Sequence, residues 1–528
     1  MEALNINRLS KRYHLRPSQR ERQRLLDASL HQAFEEDLDD ALAEVGIEDY
    51  GEICVRLLHV PLSFNFGQSQ DETSQHWSRI IARHIRLELE KAGDNVIRFR
   101  SRLQALIAFA DDVSHGNLQR SWAWNQIGLS DLSADASLSQ AQSQLVTALS
   151  REPAAILTVF KRLAGKQRLL SFMLELSSED RTVLVDGLVS ESGIERRWLE
   201  PKPELVITTG AEQSAALSET SLSRSSILTH LLANVSLALS LPVTPRIWVI
   251  LILQELEPLL FRRAPEVISQ AISTVEKRLL PVLMPGIESG QNEAIEQSHS
   301  REKTRQDRID NLADVSPVAT TSPDAVSQPQ LDKTLSEKTV EQMQDEQTEQ
   351  LDEPIPEIIQ SEFAGLFLLL PLLAETTDEL KTSLINQIAG EPAFSARPLS
   401  WVLYRLVSHW LMIPTSDPAL REFCAIDIDA DWPWPSDDEP TDSEASALDA
   451  FVTEIESRLL ARYSPEGIEQ SAVVETLCRR SARLLIDNGW LELIFELNDV
   501  DTQIRRAGLD LDPGFVPWLG KVVKIRYE

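Results

Sequence analysis

The sequence predicts a mainly α protein with a small α+β N-terminal domain and a C-terminal β-hairpin-like element. Two folded blocks are joined by a disordered acidic linker. Three observations carry this. Apolar residues recur at spacings of three and four over most of the chain, the signature of amphipathic helices. Period-two alternation is confined to Ile53–Phe66, Val96–Phe99 and the C-terminal end. Residues 286–360 contain no aromatic residue and are rich in Glu, Asp, Gln, Ser, Thr and Pro, so they bury too little apolar area to offset the entropy of ordering. The expected division is an α+β domain over 1–130, a helical domain over 131–285, the linker over 286–360, and a mainly helical domain over 361–528 that ends in a strand pair.

Leu26, Leu30, Phe34, Leu38, Ala41 and Val45 form one helical stripe, with Gly46 as its expected C-cap. In Glu52–Phe66 the alternation of Ile53, Val55 and Leu57 changes phase to Val60, Leu62, Phe64 and Phe66. A one-residue slip flips the faces of a strand, which predicts a β-bulge, and Pro61 predicts a sheet edge or a break. Trp77, Ile81, His84 or Ile85, and Leu89 predict a second helix, and Val96–Phe99 a short strand. Ser101 and Gln104 suggest a capping box for a helix through Val113. Trp122 and Trp124 are expected in the core.

From Ser137 to Pro285 the pattern is helical. Pro153 suits a first helical position, Gly165 a C′ position, and Ser178, Glu179 and Asp180 a helix start. Pro201–Ser225 reads as a polar connector. Helices are expected at Ile227–Leu239, Pro245–Arg263 and Pro265–Leu283. A transient helix is expected near Asp345, inside the linker. Beyond it, helices are expected at Phe363–Ala374, Asp378–Ile388, Pro398–Met412, Ser446–Tyr463 and Gln470–Asp487. Leu491–Leu497 and Val523–Tyr527 alternate as a closing pair, with Pro513-Gly514 as a turn between them.

Net charge is −31, which argues against nucleic-acid binding, because phosphate neutralisation needs excess Lys and Arg. Lys11, Arg12, Arg16, Arg20, Arg22 and Arg24 form a local basic patch, read as a solvated face around the first helix. Three scattered cysteines, Cys54, Cys424 and Cys478, point away from disulfides and zinc and towards a reducing cytoplasm. No secretory signal is visible. The longest apolar run, Ile247–Leu253, is far short of the roughly 20 residues of a membrane span, so no integral membrane segment is expected.

No phosphate-binding Gly-rich loop, dinucleotide fingerprint, nucleophile elbow or metal-protease motif is present in the sequence. The Gly165-Lys166-Gln167 run reads as a helix end. His230 and His409 lie on helices among apolar residues and read as core or rim residues. Asp427, Asp429 and Asp431 could supply oxygen ligands to calcium, with Asp438 at the twelfth loop position. Trp432 stands where the sharp turn needs glycine, so a solvated acidic loop anchored by Trp432 and Trp434 is the favoured reading. Asp510 and Asp512 read as turn-formers. The expectation is therefore a non-enzyme without catalytic, cofactor or metal residues. A hydrolase using Asp427–Asp431 or Asp510/Asp512 is the competing enzyme reading.

One resemblance stands beside these readings. Ala364-Gly365-Leu366-Phe367-Leu368-Leu369-Leu370-Pro371-Leu372-Leu373 follows the pattern Ala-Gly-Leu-x-Leu-Leu-x-Pro-x-Leu. It resembles a motif of the tape-measure-type proteins encoded with extracellular, phage-tail-like contractile injection systems. The N-terminal helix, Ile53–Phe66 and Trp77–Leu89 resemble that family's opening domain. Arg505–Tyr527 is similar to the tail of proteins from the same gene neighbourhoods. Leu384–Phe394 follows the family pattern only loosely. The resemblance implies a structural or assembly component with tube, baseplate or cap subunits as partners, and Gly365, Leu366, Leu369 and Pro371 as protein-binding residues. It also implies a cytoplasmic protein that can enter a particle. A fully helical chain would span roughly 790 Å at 1.5 Å per residue. Proline-broken helices cannot form that rod, so a compact assembly factor fits better than a ruler. The alternative is a helical adaptor or chaperone-like binding protein unrelated to such particles.

Overall fold

The computed structural model describes residues 6–283 and 357–528, except 7, 16–21, 46–50, 65–66, 68, 92, 134, 192, 200–221, 377–381, 436–437, 466 and 488. Nearly all of the expected linker, including Asp345, lies outside the described residues, as do Gly46 and most of the Pro201–Ser225 connector. The fold is mainly helical and forms two folded blocks, each with its own apolar core.

The N-terminal block opens with α1 (Gln23–Gln32), a π-helical turn over Ala33–Asp37, and α2 (Leu38–Val45). They pack on α3 (Gln70–Leu89), which Ser69 and Glu72 start with a reciprocal capping box. Leu26, Leu30, Leu38, Ala41, Trp77 and Ile81 make a small separate cluster here. The expected strand through Phe66 is corrected: β1 stops at Val55 (Glu52–Val55). It pairs antiparallel with β2 (Val96–Phe99). The ladder ends because Asn95 takes over. Its carbonyl accepts the Arg56 N–H at 2.8 Å, and its side chain bonds both the N–H and the carbonyl of Leu57 at 2.9 and 2.8 Å. No bulge is needed. Val60, Leu62 and Phe64 pack against the small cluster, and Phe66 lies outside the described residues.

A larger core begins with α4 (Arg102–Ser114) and α5 (Ser121–Gln126), where Trp124 stacks on Phe109 at 4.3 Å. Ser101 accepts the Gln104 N–H as expected. The Gln104 side chain reaches instead to the N–H of Arg100, at 2.6 Å. This core continues without a break across residue 130 into α6 (Leu138–Arg151), α7 (Ala154–Gly165), α8 (Leu169–Glu175) and α9 (Ser178–Glu191). The left-handed residue after α7 is Gln167 (φ 58°), not Gly165. The expected Ile227–Leu239 helix is broken at Asn234 into α10 (Ser226–Ala233) and α11 (Val235–Ser240). Asn234 donates to the carbonyl of His230 and to Gln167, a local alternative to helical bonding. α12 (Pro245–Leu256) stops short of Arg263 because Glu257 precedes Pro258 and is held out of the helical region at φ −144°, ψ 82°. α13 (Pro265–Leu283) completes the block.

The C-terminal block starts within the stretch expected as linker, with β3 (Glu357–Ser361). A 3-10 segment over Ala364–Leu369 leads into α14 (Leu370–Ala374), followed by α15 (Leu384–Gly390) and α16 (Leu399–Trp410). α17 (Pro418–Phe423), absent from the expectation, is capped by Asp417. α18 (Asp442–Arg462) is capped by Thr441 and Glu444. The expected helix Gln470–Asp487 is corrected to one short helix, α19 (Val473–Cys478), and a strand, β4 (Ala482–Asp487). β4 pairs antiparallel with β5 (Trp490–Phe495) in a register that leaves only Asn488-Gly489 to connect them, and Gly489 has φ +75°. That dipeptide is a hairpin signal, not a helix end. The closing pair is also corrected: β5 and β7 (Lys521–Tyr527) run parallel. The crossover between them holds α20 (Thr502–Ala507) and β6 (Gly514–Val516), and β6 lies antiparallel on β7. The sheet order is β3-β4-β5-β7-β6.

This sheet is a shared wall. Leu491, Leu493, Phe495, Val523 and Ile525 join the C-terminal core, while Phe515 and Val522 pack against the N-terminal one. Beside it, Glu257 Oε1 accepts from Arg263 at 2.9 Å and from the N–H of Leu399 at 2.8 Å. Leu399 opens α16 behind Pro398, which has no capping side chain, so Glu257 caps that helix from the other block. Arg263 donates to the carbonyl of Arg397 at 2.5 Å. Glu257 and Arg263 side chains are only 6% and 3% exposed. Glu257→Ala strands the Arg263 charge in this interior and is expected to cost about 3–5 kcal/mol, read as a lower urea midpoint. Replacing both by apolar residues of similar volume should recover most of the loss. An equal loss in the double variant would refute the stranded charge as its cause.

Candidate functional site

The resemblance-bearing segment lies inside its own core. Gly365, Leu366 and Leu369 are buried and Pro371 is half-buried, in the first turn of α14. Phe367 meets Phe423 edge-on at 5.7 Å. Gly365 donates its N–H to the Arg480 carbonyl at 3.2 Å. A Cβ on Gly365 would lie 2.1 Å from the Leu477 carbonyl oxygen and 2.8 Å from that of Cys478. The glycine is therefore required by backbone-to-backbone contact with α19. Of the four residues named above as protein-binding, Gly365, Leu366 and Leu369 are packed within this chain, and Pro371 is partly accessible.

The acidic loop after α17 is organised around a guanidinium. Arg421 donates to the carbonyls of Asp427, Ile428 and Ala430 at 2.9, 3.0 and 2.6 Å, and to that of Thr415 at 2.7 Å. It also lies 5.7 Å from the Trp432 ring centre. The carbonyls that a cation would seek are thus taken, and Asp427, Asp429 and Asp431 are exposed. Asp438 belongs to a different network. It holds Arg397 through both oxygens at 2.8 and 3.0 Å and accepts from Trp401 at 2.9 Å. Trp432 and Trp434 anchor the loop against Tyr404. Among the described residues no cluster of His, Cys, Asp or Glu is arranged to hold a metal, and no helix is long and apolar enough to cross a membrane.

The remaining candidates make structural bonds. Asp510 is buried and accepts from Arg505 at 3.2 Å and from Tyr527 at 3.3 Å. Burial, then the Asp510 charge and hydrogen bond, push the Tyr527 hydroxyl up to about 12. Asp512 accepts the Ile525 N–H at 2.8 Å. His230 is buried, bonded to Gln167 at 2.7 Å and to the Leu170 N–H at 3.2 Å, and burial lowers its pKa. His409 is exposed beside Trp410. All three cysteines are buried and unpaired, and burial raises every thiol, Cys54 to about 12. None has the thiolate character of a nucleophile. In the N-terminal basic patch Lys11 pairs with Asp27 at 2.8 Å, while Arg16 and Arg20 lie outside the described residues.

A cleft that the sequence reading passed over opens between the blocks. It has a volume of about 360 Å³. One wall is the face of α7 that carries Thr158, Lys161, Arg162 and Gly165, with Lys166 beyond it. The other is Gly489 and Leu519–Lys521. Arg162 and Lys166 share one oxygen of Asp111, at 3.3 and 2.6 Å, and Lys521 pairs with Glu422 at 2.7 Å. The signal was present as spacing i, i+3, i+4, i+7 on one helix, but the facing wall comes from residues more than three hundred positions away. The residue after Asp111, Asp112, is nearly buried and 3.8 Å from Arg120. Burial pushes its carboxyl up to about 6, against the pull of Arg120.

No family model, no curated protein and no solved structure matches this chain.

Two outcomes follow. Gly365→Ala forces backbone apart at α19 and is expected to destabilise by about 3 kcal/mol or more, measured as a fall in urea midpoint; an unchanged midpoint would remove the close-contact account. For Asp112, the folded state holds a proton between the ordinary carboxyl pKa and about 6, so stability falls as pH rises through that window. Asp112→Asn should therefore gain stability relative to the parent at about pH 8, by up to roughly 3 kcal/mol, and gain much less near pH 4. The same difference at both pH values would contradict a buried ionised carboxylate.

Proposed function

We propose that this protein is a non-enzymatic structural or assembly component of a phage-tail-like contractile injection particle. Its partners would be tube, baseplate or cap subunits, and it would be made in the cytoplasm. The observation that carries the reading is the Ala-Gly-Leu-x-Leu-Leu-x-Pro-x-Leu motif at Ala364–Leu373, together with the Arg505–Tyr527 tail. In the fold the two resembling segments meet: Phe363–Leu373 and Val516, Trp518, Leu519, Val523 and Ile525 share one core. Segments that must fit each other are expected to be spelled together, which supports reading them as one resemblance rather than two coincidences. The non-enzymatic part rests on the candidate acids, histidines and cysteines, which are exposed on the surface or engaged in the chain's own packing.

The compact fold favours an assembly or adaptor factor over a ruler within that class. Deleting the gene in the native cell is expected to abolish assembled particles, and pull-down of the tagged full chain should recover tube, baseplate or cap subunits. Intact particles in the deletion strain would overturn the reading. Removing about 20 residues from within 286–356 separates the two roles, because a helical ruler would shorten the tube by roughly 30 Å. The adaptor role predicts an unchanged tube length.

A further inference from the structure

We propose that the cleft between α7 and the β7 end of the sheet binds a small soluble phosphate compound, such as pyrophosphate or a nucleotide, and that the bound anion ties the two blocks together. This goes beyond the assembly role and does not depend on it. Four cationic side chains line the cleft, Lys161, Arg162, Lys166 and Lys521, and no acidic residue lines it. That is a local inversion in a chain of net charge −31.

The counter-charges behind the walls are fewer than the cations. Two positive groups share the single Oδ2 of Asp111, and Glu422 matches Lys521. Lys161 makes no side-chain hydrogen bond or ion pair among the described residues; burial lowers its pKa, against the pull of Glu255 and Glu422, so three carboxylates stand against four cations. Excess positive charge held between low-dielectric walls focuses the field into the gap. Room is left at one glycine. Nothing lies within 4 Å of where a Cβ on Gly165 would stand, whereas one on Gly489 would meet Ile107 and Leu103 at 3.1 Å and one on Gly520 would meet Thr158 at 3.6 Å, so the open space is on the Gly165 side.

The chemistry selects the ligand class. An Arg fork and three ammonium groups concentrated on little more than one helical turn and one strand start suit a compact, multiply charged tetrahedral anion. The volume, about 360 Å³, is at the small end of small-molecule sites. Because the walls belong to different blocks, and Thr158 donates across this gap to the Gly520 carbonyl at 3.4 Å, an anion seated here adds contacts to both. It binds the docked state better than a separated one, and so raises the stability of the docked state by mass action.

The test uses the full chain, titrated by calorimetry and thermal melting with inorganic phosphate, pyrophosphate and ATP. The expected result is saturable binding of at least one of them with one site per chain, and a melting midpoint that rises with its concentration. Lys161→Ala removes charge without removing any bond. Gly165→Leu fills the open space on a helix that tolerates it. Each should weaken binding at least about tenfold while leaving the ligand-free melting midpoint equal or higher. Lys277→Ala, an exposed cation on α13, should change nothing. No saturable binding up to about 10 mM ligand overturns the proposal, and so does binding untouched by Gly165→Leu, which would mark diffuse surface attraction. Sedimentation with phosphatidylserine vesicles without binding of soluble phosphates, or tighter binding of a poly-glutamate peptide than of pyrophosphate, would also overturn it.

Discussion

The architecture depends on how Glu257 is held. Pro258 forces Glu257 out of helical geometry, which ends α12 and presents the carboxylate to the other block. There it meets Arg263 and the uncapped N–H of Leu399. The chain of contacts continues, since Arg263 bonds the Arg397 carbonyl while the Arg397 side chain holds Asp438 and Glu444 and lies 4.3 Å from the Trp401 ring centre. A buried ion pair adds little net stability, because desolvation offsets its attraction. Its effect is selective. Two apolar surfaces can slide over one another at small cost, whereas a desolvated charge and an orphan helix N–H are satisfied in one docking only. The pair therefore fixes which way the blocks meet, and that alignment places the cleft walls opposite each other.

Inside the C-terminal block the corresponding constraint is a contact with no side chain at all. Gly365 brings a 3-10 segment against the end of α19, and Arg480 completes it through its backbone carbonyl. The sheet then starts immediately, at Ala482. Tight packing there favours ending the helix: the Leu477 and Cys478 carbonyls lie against Gly365 and the Arg480 carbonyl accepts its N–H, so this backbone is already committed to a neighbour. The apolar run that first marks a domain boundary in the sequence is thus the floor on which the sheet is laid.

Much of the helical content was legible, because 3.6-residue periodicity and the Ser101 cap are local signals, although the caps at Ser69 and Thr441 were passed over. The failures share a cause, which is competition from partners remote in sequence or from a single polar side chain. Asn95 ends β1, Asn234 splits a helix, and a parallel partner for β5 is reached only across α20 and β6. The Asn488-Gly489 hairpin was readable, but the apolar run before it also fits a helix, and length alone did not decide. The acidic loop raised calcium only as a lesser reading, because carboxylate spacing is visible in sequence, while the organising cation, Arg421, is an ordinary helical arginine until the fold turns the loop carbonyls towards it. The cleft was half legible: α7 displays its cations at helical spacing, but Gly489 and Lys521 carry no mark that they complete the other wall.

Long-range closure also bears on what kind of particle component such a chain can be. Leu399 bonds Glu257 across 142 positions, and Thr158 bonds Gly520 across 362. A molecule that measures length must convert each added residue into added reach. A chain that closes on itself at such separations converts added residues into longer loops instead, at a cost that grows only logarithmically with loop length. Selection on a fold of this kind acts on the surfaces and clefts that closure creates. The cationic gap, built half from each block, is one such product, and its occupancy would report whether the blocks are docked.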